Sequence, residues 1–146
     1  MRLTSRMDYG LKALLDLGLH FGQGPLSNQE ISKRQRIPEQ YLKQILPALR
    51  RRGLINSTRG PGGGHSLVKP PGEITLADIG GALEGGGDFL APQGSRRREG
   101  HLDSGRILDE FWRDVRGAMD EIMERTTLEE LCRRQRRRER SITYHI

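Results

Sequence analysis

The sequence predicts a mainly α-helical chain carrying one small β-hairpin, and three observations predict it. Apolar residues recur at steps of three and four in separate segments, a glycine-rich stretch divides two strand-like runs, and the strongest helical pattern comes late in the chain. At 146 residues the chain has room for one domain with a proper core and an appended long helix, but not for a second full domain. Hydrophobic residues make up 34 % and charged residues 30 %, polar for a folding chain yet short of the disordered range. So lean a core points to completion by a second subunit.

Each element follows from local chemistry. Ser5 and Asp8 have N-cap and N3 spacing, and Met7, Leu11, Leu14, Leu15 and Leu19 then form an apolar stripe ending near Phe21-Gly22. Gly22-Gln23-Gly24-Pro25 is turn chemistry, and Ser27 with Glu30 is a capping box for a short second helix, Ser27 to Gln35. A third helix begins at Pro38, a favoured first helical residue, and runs toward Arg52 with Gly53 as its stop. Two helices joined by Arg36-Ile37 have helix-turn-helix dimensions.

The third helix has two faces. Leu42, Ile45, Leu46 and Leu49 form a core stripe. Gln40, Lys43, Gln44 and Pro47 lie opposite, and the first three offer donors suited to base edges or phosphates, unless the face is simply solvated. Pro47 removes a backbone donor and is expected to kink the helix.

Beyond Gly53, Leu54 to Arg59 and His65 to Lys69 read as strands flanking Gly60-Pro61-Gly62-Gly63-Gly64. Such a tip lets backbone lie close to another surface, and Arg59 at its base suits the negative potential of a narrow minor groove. A phosphate-cradling loop of a nucleotide enzyme is excluded, because His65-Ser66 stands where Lys followed by Ser or Thr would be needed. Leu76, Ile79, Ala82 and Leu83 give a short helix, and a long loop, residues 85–105, follows.

Ile107, Leu108, Phe111, Trp112, Val115, Met119, Ile122 and Met123 then recur at three and four. A helix so long and one-sided needs a large apolar partner, and a helix-to-helix dimer interface is the expected one. Thr126 with Glu129, and Thr127 with Glu130, offer overlapping capping boxes for a short terminal helix through Leu131. The remaining residues, rich in arginine from Arg133 to Arg140, read as a disordered basic arm. The fold class is thus a winged helix-turn-helix plus a long C-terminal dimerisation helix. Its expected parts are 1–84 (DNA-binding), 85–105 (loop), 106–131 (dimerisation helix and short terminal helix) and 132–146 (basic tail).

Charge is unevenly divided. Of the net +6, residues 1–70 carry +8, residues 71–131 carry −7 and residues 132–146 carry +5. The basic first half suits an anionic partner, either nucleic acid or a membrane surface, against the bland alternative of a solvated basic surface. The single cysteine, Cys132, excludes an intrachain disulfide framework and fits a reducing compartment. Leu11 to Phe21 is interrupted by Lys12, Asp16 and His20 and is too short for a membrane span, so a cytoplasmic protein with no membrane association is expected. Four histidines and one cysteine give no nucleophile-base pair or metal spacing, so an enzyme ranks last.

With these elements in hand, the chain resembles the winged-helix regulators typified by the iron-sulfur cluster regulator IscR, the nitric-oxide-sensing repressor NsrR and the cysteine-metabolism repressor CymR. The matching residues are Met1-Arg2-Leu3-Thr4-Ser5, Ala13-Leu14-Leu15-Asp16-Leu17, Ile31-Ser32, Arg34-Gln35 with Ile37, Tyr41-Leu42 and Gln44. They continue through Leu49-Arg50, Gly53-Leu54, Arg59-Gly60-Pro61-Gly62-Gly63-Gly64 and Ile74-Thr75-Leu76. Leu108, Phe111-Trp112-Arg113 and Thr127-Leu128-Glu129-Glu130-Leu131 complete the likeness, which covers nearly all of the chain up to Leu131.

The resemblance implies a homodimeric transcription factor, usually a repressor, on a roughly palindromic operator. Each subunit would place its third helix in the major groove and its wing in the minor groove. Gln40, Lys43 and Gln44 would face base edges, Tyr41 and Arg50 anchor phosphates, Arg59 probe the minor groove, and Arg2 and Tyr9 contact the backbone. Ser27, Lys33, Gly60, Gly62, Gly63, Gly64 and His65 complete the expected DNA-binding set. The alternative function is a protein-interaction regulator whose basic face docks an acidic partner.

Departures from the family pattern carry their own expectations. Sensory members hold an iron-sulfur cluster on three cysteines in the loop before the long helix, and residues 85–105 contain none. Asp8 stands where some place a fourth ligand, but one carboxylate and Cys132 cannot hold thiolate-bound irons, so no cofactor or metal is expected. Asp8 is then an acid of the first helical turn. His65 replaces a common aromatic, and Lys43 replaces an acidic residue of the iron-sulfur regulator, so operator preference should differ. The signal is open to a small-molecule or protein effector. Arg96, Arg97 and Arg98 suit an anionic metabolite, against a solvated loop, and Cys132 beside Arg133 and Arg134 suits a thiol switch, against inert packing.

Overall fold

The computed structural model describes residues 4–85 and 104–145. Helix α1 spans Ser5–Leu19, and its N-cap is Thr4 rather than Ser5: the Thr4 hydroxyl accepts from the Met7 N–H at 3.1 Å. Asp8 therefore lies one residue past the expected N3 position, where its carboxylate pairs with Lys12 at 2.8 Å. Helix α2, Asn28–Gln35, has the expected capping box: Ser27 Oγ accepts from the Glu30 N–H at 3.2 Å and Glu30 accepts from the Ser27 N–H at 2.7 Å. The bond from the Ser27 N–H, and after it the Ser27 side chain, hold the Glu30 carboxyl below its ordinary pKa.

The turn into α3, Glu39–Arg51, is made by Arg36 in the left-handed region at φ 54° and by Ser32 Oγ donating to the Ile37 carbonyl at 2.6 Å. Pro38 is the N-cap of α3 rather than its first helical residue, and α3 is one continuous helix through Pro47. Leu42, Ile45, Leu46 and Leu49 are buried, as their stripe requires. After Gly53, strands β1 (Ile55–Thr58) and β2 (Gly64–Leu67) pair antiparallel, from Ile55 opposite Leu67 to Thr58 opposite Gly64. Pairing reaches into the tip at Gly64, one residue before the expected run, while Leu54, Arg59, Val68 and Lys69 fall outside the strands. A short 3-10 turn at Pro71–Glu73 leads to α4, Leu76–Glu84, opened by a second capping box of Thr75 with Asp78.

One core joins these pieces. Leu14 from α1, Ile31 from α2, Leu42 and Ile45 from α3, Ile79 from α4 and Leu128 are all fully buried in it. A charged staple fixes α2 against α1. Asp16 is 1 % exposed, and its carboxylate accepts from Arg34 Nε at 3.0 and 3.1 Å and from the Gln35 amide at 3.4 Å. A buried carboxylate is tolerable only when so paired.

The last two helices are α5, Ser104–Arg125, and α6, Leu128–Tyr144. No residue of α5 is buried in the single chain, including its whole apolar stripe. Helix α6 corrects the expected short helix and disordered arm, for it continues through the arginine run to Tyr144. Arginine is a good helix former, and Glu130 with Arg134 and Gln135 with Glu139 support successive turns. Of the two overlapping boxes, only Thr127 caps, accepting from the Glu130 N–H, while Thr126 donates back to the Ile122 carbonyl.

The start of α6 is docked firmly. The Leu76 N–H donates to the Thr126 carbonyl at 2.9 Å and the Leu128 N–H to the Ile74 carbonyl at 2.8 Å, tying the α5–α6 junction to the entry of α4. Leu128 and Cys132 are fully buried against α1, where a Cβ on Gly18 would stand 2.8 Å from Cys132 Sγ. Only a glycine permits that approach. Among the described residues no helix is long and apolar enough to cross a membrane.

Candidate nucleic-acid interface

The polar face of α3 is presented as the sequence suggests: Gln40, Lys43, Gln44 and Arg50 are exposed, and Tyr41 is half-buried. Tyr41 packs edge-on against Tyr9 of α1 with ring centroids 4.9 Å apart, and Lys12 stands 5.6 Å from the Tyr9 ring. The two tyrosines are thus mutually oriented where α1 meets the start of α3. Lys33 is exposed in the last turn of α2, and Ser27 is occupied by its capping box. Arg2 and the loop arginines Arg96, Arg97 and Arg98 lie outside the described residues.

Electrostatically this side is open. Among the described residues, Lys33, Arg36, Lys43, Arg50, Arg51, Arg52 and Arg59 form no ion pair. Cations left so, on adjoining elements, raise the local positive potential and favour a polyanion.

The wing carries Arg59 at its exposed base and Gly60, Gly62, Gly63 and Gly64 at its tip. The Gly63 N–H closes the tip by donating to the Gly60 carbonyl at 2.9 Å. The backbone of β2 is pressed against the residues that open α2: Leu26 and His65 exchange hydrogen bonds of 2.9 and 2.7 Å, and a Cβ on Gly64 would stand 2.4 Å from the Leu26 oxygen. His65 engages both ring nitrogens within the chain, Nδ1 with Ser57 Oγ at 2.7 Å and Nε2 with Asn28 Oδ1 at 2.6 Å. Its pKa is lowered from 6.5 by burial and secondarily by Arg50. Sequence reasoning missed Asn28 and Ser57, which lie far from His65 along the chain or across the strand pair, and it missed the Asp16 staple. The one available signal for the staple was an acid inside the apolar run of α1.

On α5, Ile107, Leu108, Phe111, Trp112 and Ile122 are exposed while Val115, Met119 and Met123 are half-buried. Phe111 and Trp112 touch edge-to-face at 5.3 Å between centroids. So large an apolar row on one helix marks an interaction surface.

Comparison with known proteins decides the family. Residues 3–134 match the Rrf2 family, described as iron-dependent transcriptional regulators. The chain belongs to the Rrf2 family. It is 40 % identical over 136 residues to the HTH-type transcriptional regulator IscR of Photorhabdus laumondii subsp. laumondii, covering 92 % of this chain and 81 % of that one. The solved structure of CymR (YrzC), the global cysteine regulator of B. subtilis, superposes with a TM-score of 0.75 at 33 % identity, covering 90 % of this chain and 96 % of that chain. T. potens IscR gives a TM-score of 0.75 at 30 % identity, over 92 % of this chain and 88 % of that chain. This Rrf2 protein is therefore a winged-helix, DNA-binding transcriptional regulator of a non-enzymatic family.

The family's description raises iron, and the donor set of this chain does not fit a thiolate-held cluster. Its one cysteine, Cys132, is fully buried against Gly18 in the core. Burial is the main reason that its pKa is raised to about 11, with Arg136 opposing and Glu129 adding to the shift. Proximity to Arg133 and Arg134 in sequence therefore does not activate the thiol, and of the two readings of Cys132 it is inert packing that fits. Asp8 is meanwhile engaged by Lys12.

Proposed function

We propose that this Rrf2 regulator works as a homodimeric repressor on a roughly palindromic operator, without an iron-sulfur cluster and in the cytoplasm. Helix α3 enters the major groove with Gln40, Lys43 and Gln44 toward base edges, while Tyr41 and Arg50 anchor phosphates. Arg59 enters the adjacent minor groove, with Gly60, Gly62, Gly63 and Gly64 allowing the wing backbone close to the duplex. Arg2, Tyr9, Ser27 and Lys33 meet the phosphate backbone, and His65 supports the wing. Residues 1–84 act as the DNA-reading unit, and α5 pairs with its counterpart in a second copy through Ile107, Leu108, Phe111, Trp112, Val115, Met119, Ile122 and Met123.

The observation that carries this reading is the set of cations without acid partners on α2, α3 and the wing, beside the exposed amides of α3. The test is selection of binding sites from random duplex DNA with the native chain and with Lys43→Ala. The native chain is expected to enrich a palindrome and the variant to relax one position in each half-site. Failure to enrich any sequence overturns the reading.

A further inference from the structure

We propose that His65 is a positioning residue that locks the wing to the N-terminus of α2, so that Ser57, His65 and Asn28 together set where the wing meets DNA. A two-stranded ribbon is marginal in water and twists readily. Here the Leu26–His65 backbone pair holds β2 and buried Ile55 anchors the start of β1, leaving the exposed residues Asn56, Ser57 and Thr58 and the tip tethered along one edge. The imidazole supplies the second tether. Ser57 is the cross-strand partner of His65, and its Oγ lies 2.7 Å from Nδ1, so the ring grips β1. Its other nitrogen, 2.6 Å from Asn28 Oδ1, grips the first residue of α2.

The chemistry fixes the tautomer. Asn28 Oδ1 can only accept, so Nε2 carries the proton and donates to it, while Nδ1 accepts from the Ser57 hydroxyl. A phenylalanine or tyrosine ring could fill the space but could not make both bonds. The lock is thus a property of this chain's own histidine, and it aims Arg59, which follows β1 directly.

The inference rests on the wing's reading of DNA, so its test has one arm that needs no DNA. Spin labels on Gln29→Cys and Pro61→Cys report the distance from α2 to the wing tip in the full chain, with the native thiol buried and unreactive. The distance distribution is expected to be narrow in the parent, clearly broader in His65→Ala, and narrow again in His65→Gln, whose amide presents an N–H donor on one side and a carbonyl acceptor on the other. Equal widths in the parent and His65→Ala overturn the lock.

The second arm measures operator affinity. Arg59→Ala is expected to weaken binding roughly tenfold in the parent and less than about twofold in the His65→Ala background, since an unaimed arginine has little left to lose. An equal penalty in both backgrounds overturns the link between the lock and DNA. No penalty in the parent contradicts the minor-groove role of Arg59 instead, and the spin-label result then decides the lock alone.

Discussion

Replacing Phe111 by alanine should break the proposed dimer without unfolding the chain. A phenylalanine offers roughly 200 Å² of surface, and Phe111 is 55 % exposed in the single chain. A partner helix would therefore cover about 100 Å² of it, worth about 2.5 kcal/mol at about 25 cal/mol per Å². A two-fold interface uses the residue twice, for about 5 kcal/mol in all. Trp112, in edge contact with Phe111 at 5.3 Å, can swing into part of the vacated space and recover some of that loss. The net expectation is about 3 to 5 kcal/mol, a weakening of dimerisation by roughly two to four orders of magnitude. Sedimentation equilibrium over a concentration series reads this directly, with circular dichroism as the check on folding. A native chain that is monomeric at tens of micromolar, or a Phe111→Ala chain that dimerises as tightly as the native one, would refute the reasoning.

Three more expectations follow from the same structure. Leu128→Ala should cost about 2 to 5 kcal/mol in chemical denaturation, because it empties a fully buried site where α6 docks on α1. Cys132 should resist alkylation at pH 8 in the native chain and react at once in denaturant, since its thiol pKa is pushed up to about 11 and its side chain is buried. Stability should also fall as the pH drops below about 6.5, because the unfolded chain takes up a proton that folded His65, with its lowered pKa, resists. His65→Phe should flatten that part of the profile, as followed by urea unfolding between pH 5 and 8.

The legible parts of the fold were those set by local patterns. Ser27 and Glu30 announced the second helix, and the stripe Leu42, Ile45, Leu46 and Leu49 fixed which side of α3 would be buried and hence which would be free. The offset at the first cap arose because Thr4 and Ser5 are chemically equivalent acceptors one residue apart, and it is Thr4 that caps, its hydroxyl also donating to the Glu84 carboxylate. The arginine run was misread because charge density suggests solvation, whereas helix propensity and the Glu130–Arg134 pair carry α6 onward from its docked start. For Cys132 the sequence left a thiol switch and inert packing both open: neighbours in sequence point to other sides of a helix, so burial against Gly18 decides for packing. The Asp16 staple and the His65 lock depend on pairs well separated in sequence, Asp16 with Arg34 and His65 with Asn28, and no local signal could join them.

The central claim is that the open cations and amides of α2, α3 and the wing read DNA by sequence. Equilibrium binding to the DNA upstream of the protein's own gene, compared with a random duplex of equal length across a salt series, tests it most directly. The expected result is at least about a 10³-fold preference for the upstream DNA and an affinity that falls steeply and log-linearly with salt, as counterion release requires. Equal affinity for the two duplexes, or binding that salt leaves unchanged, would contradict it.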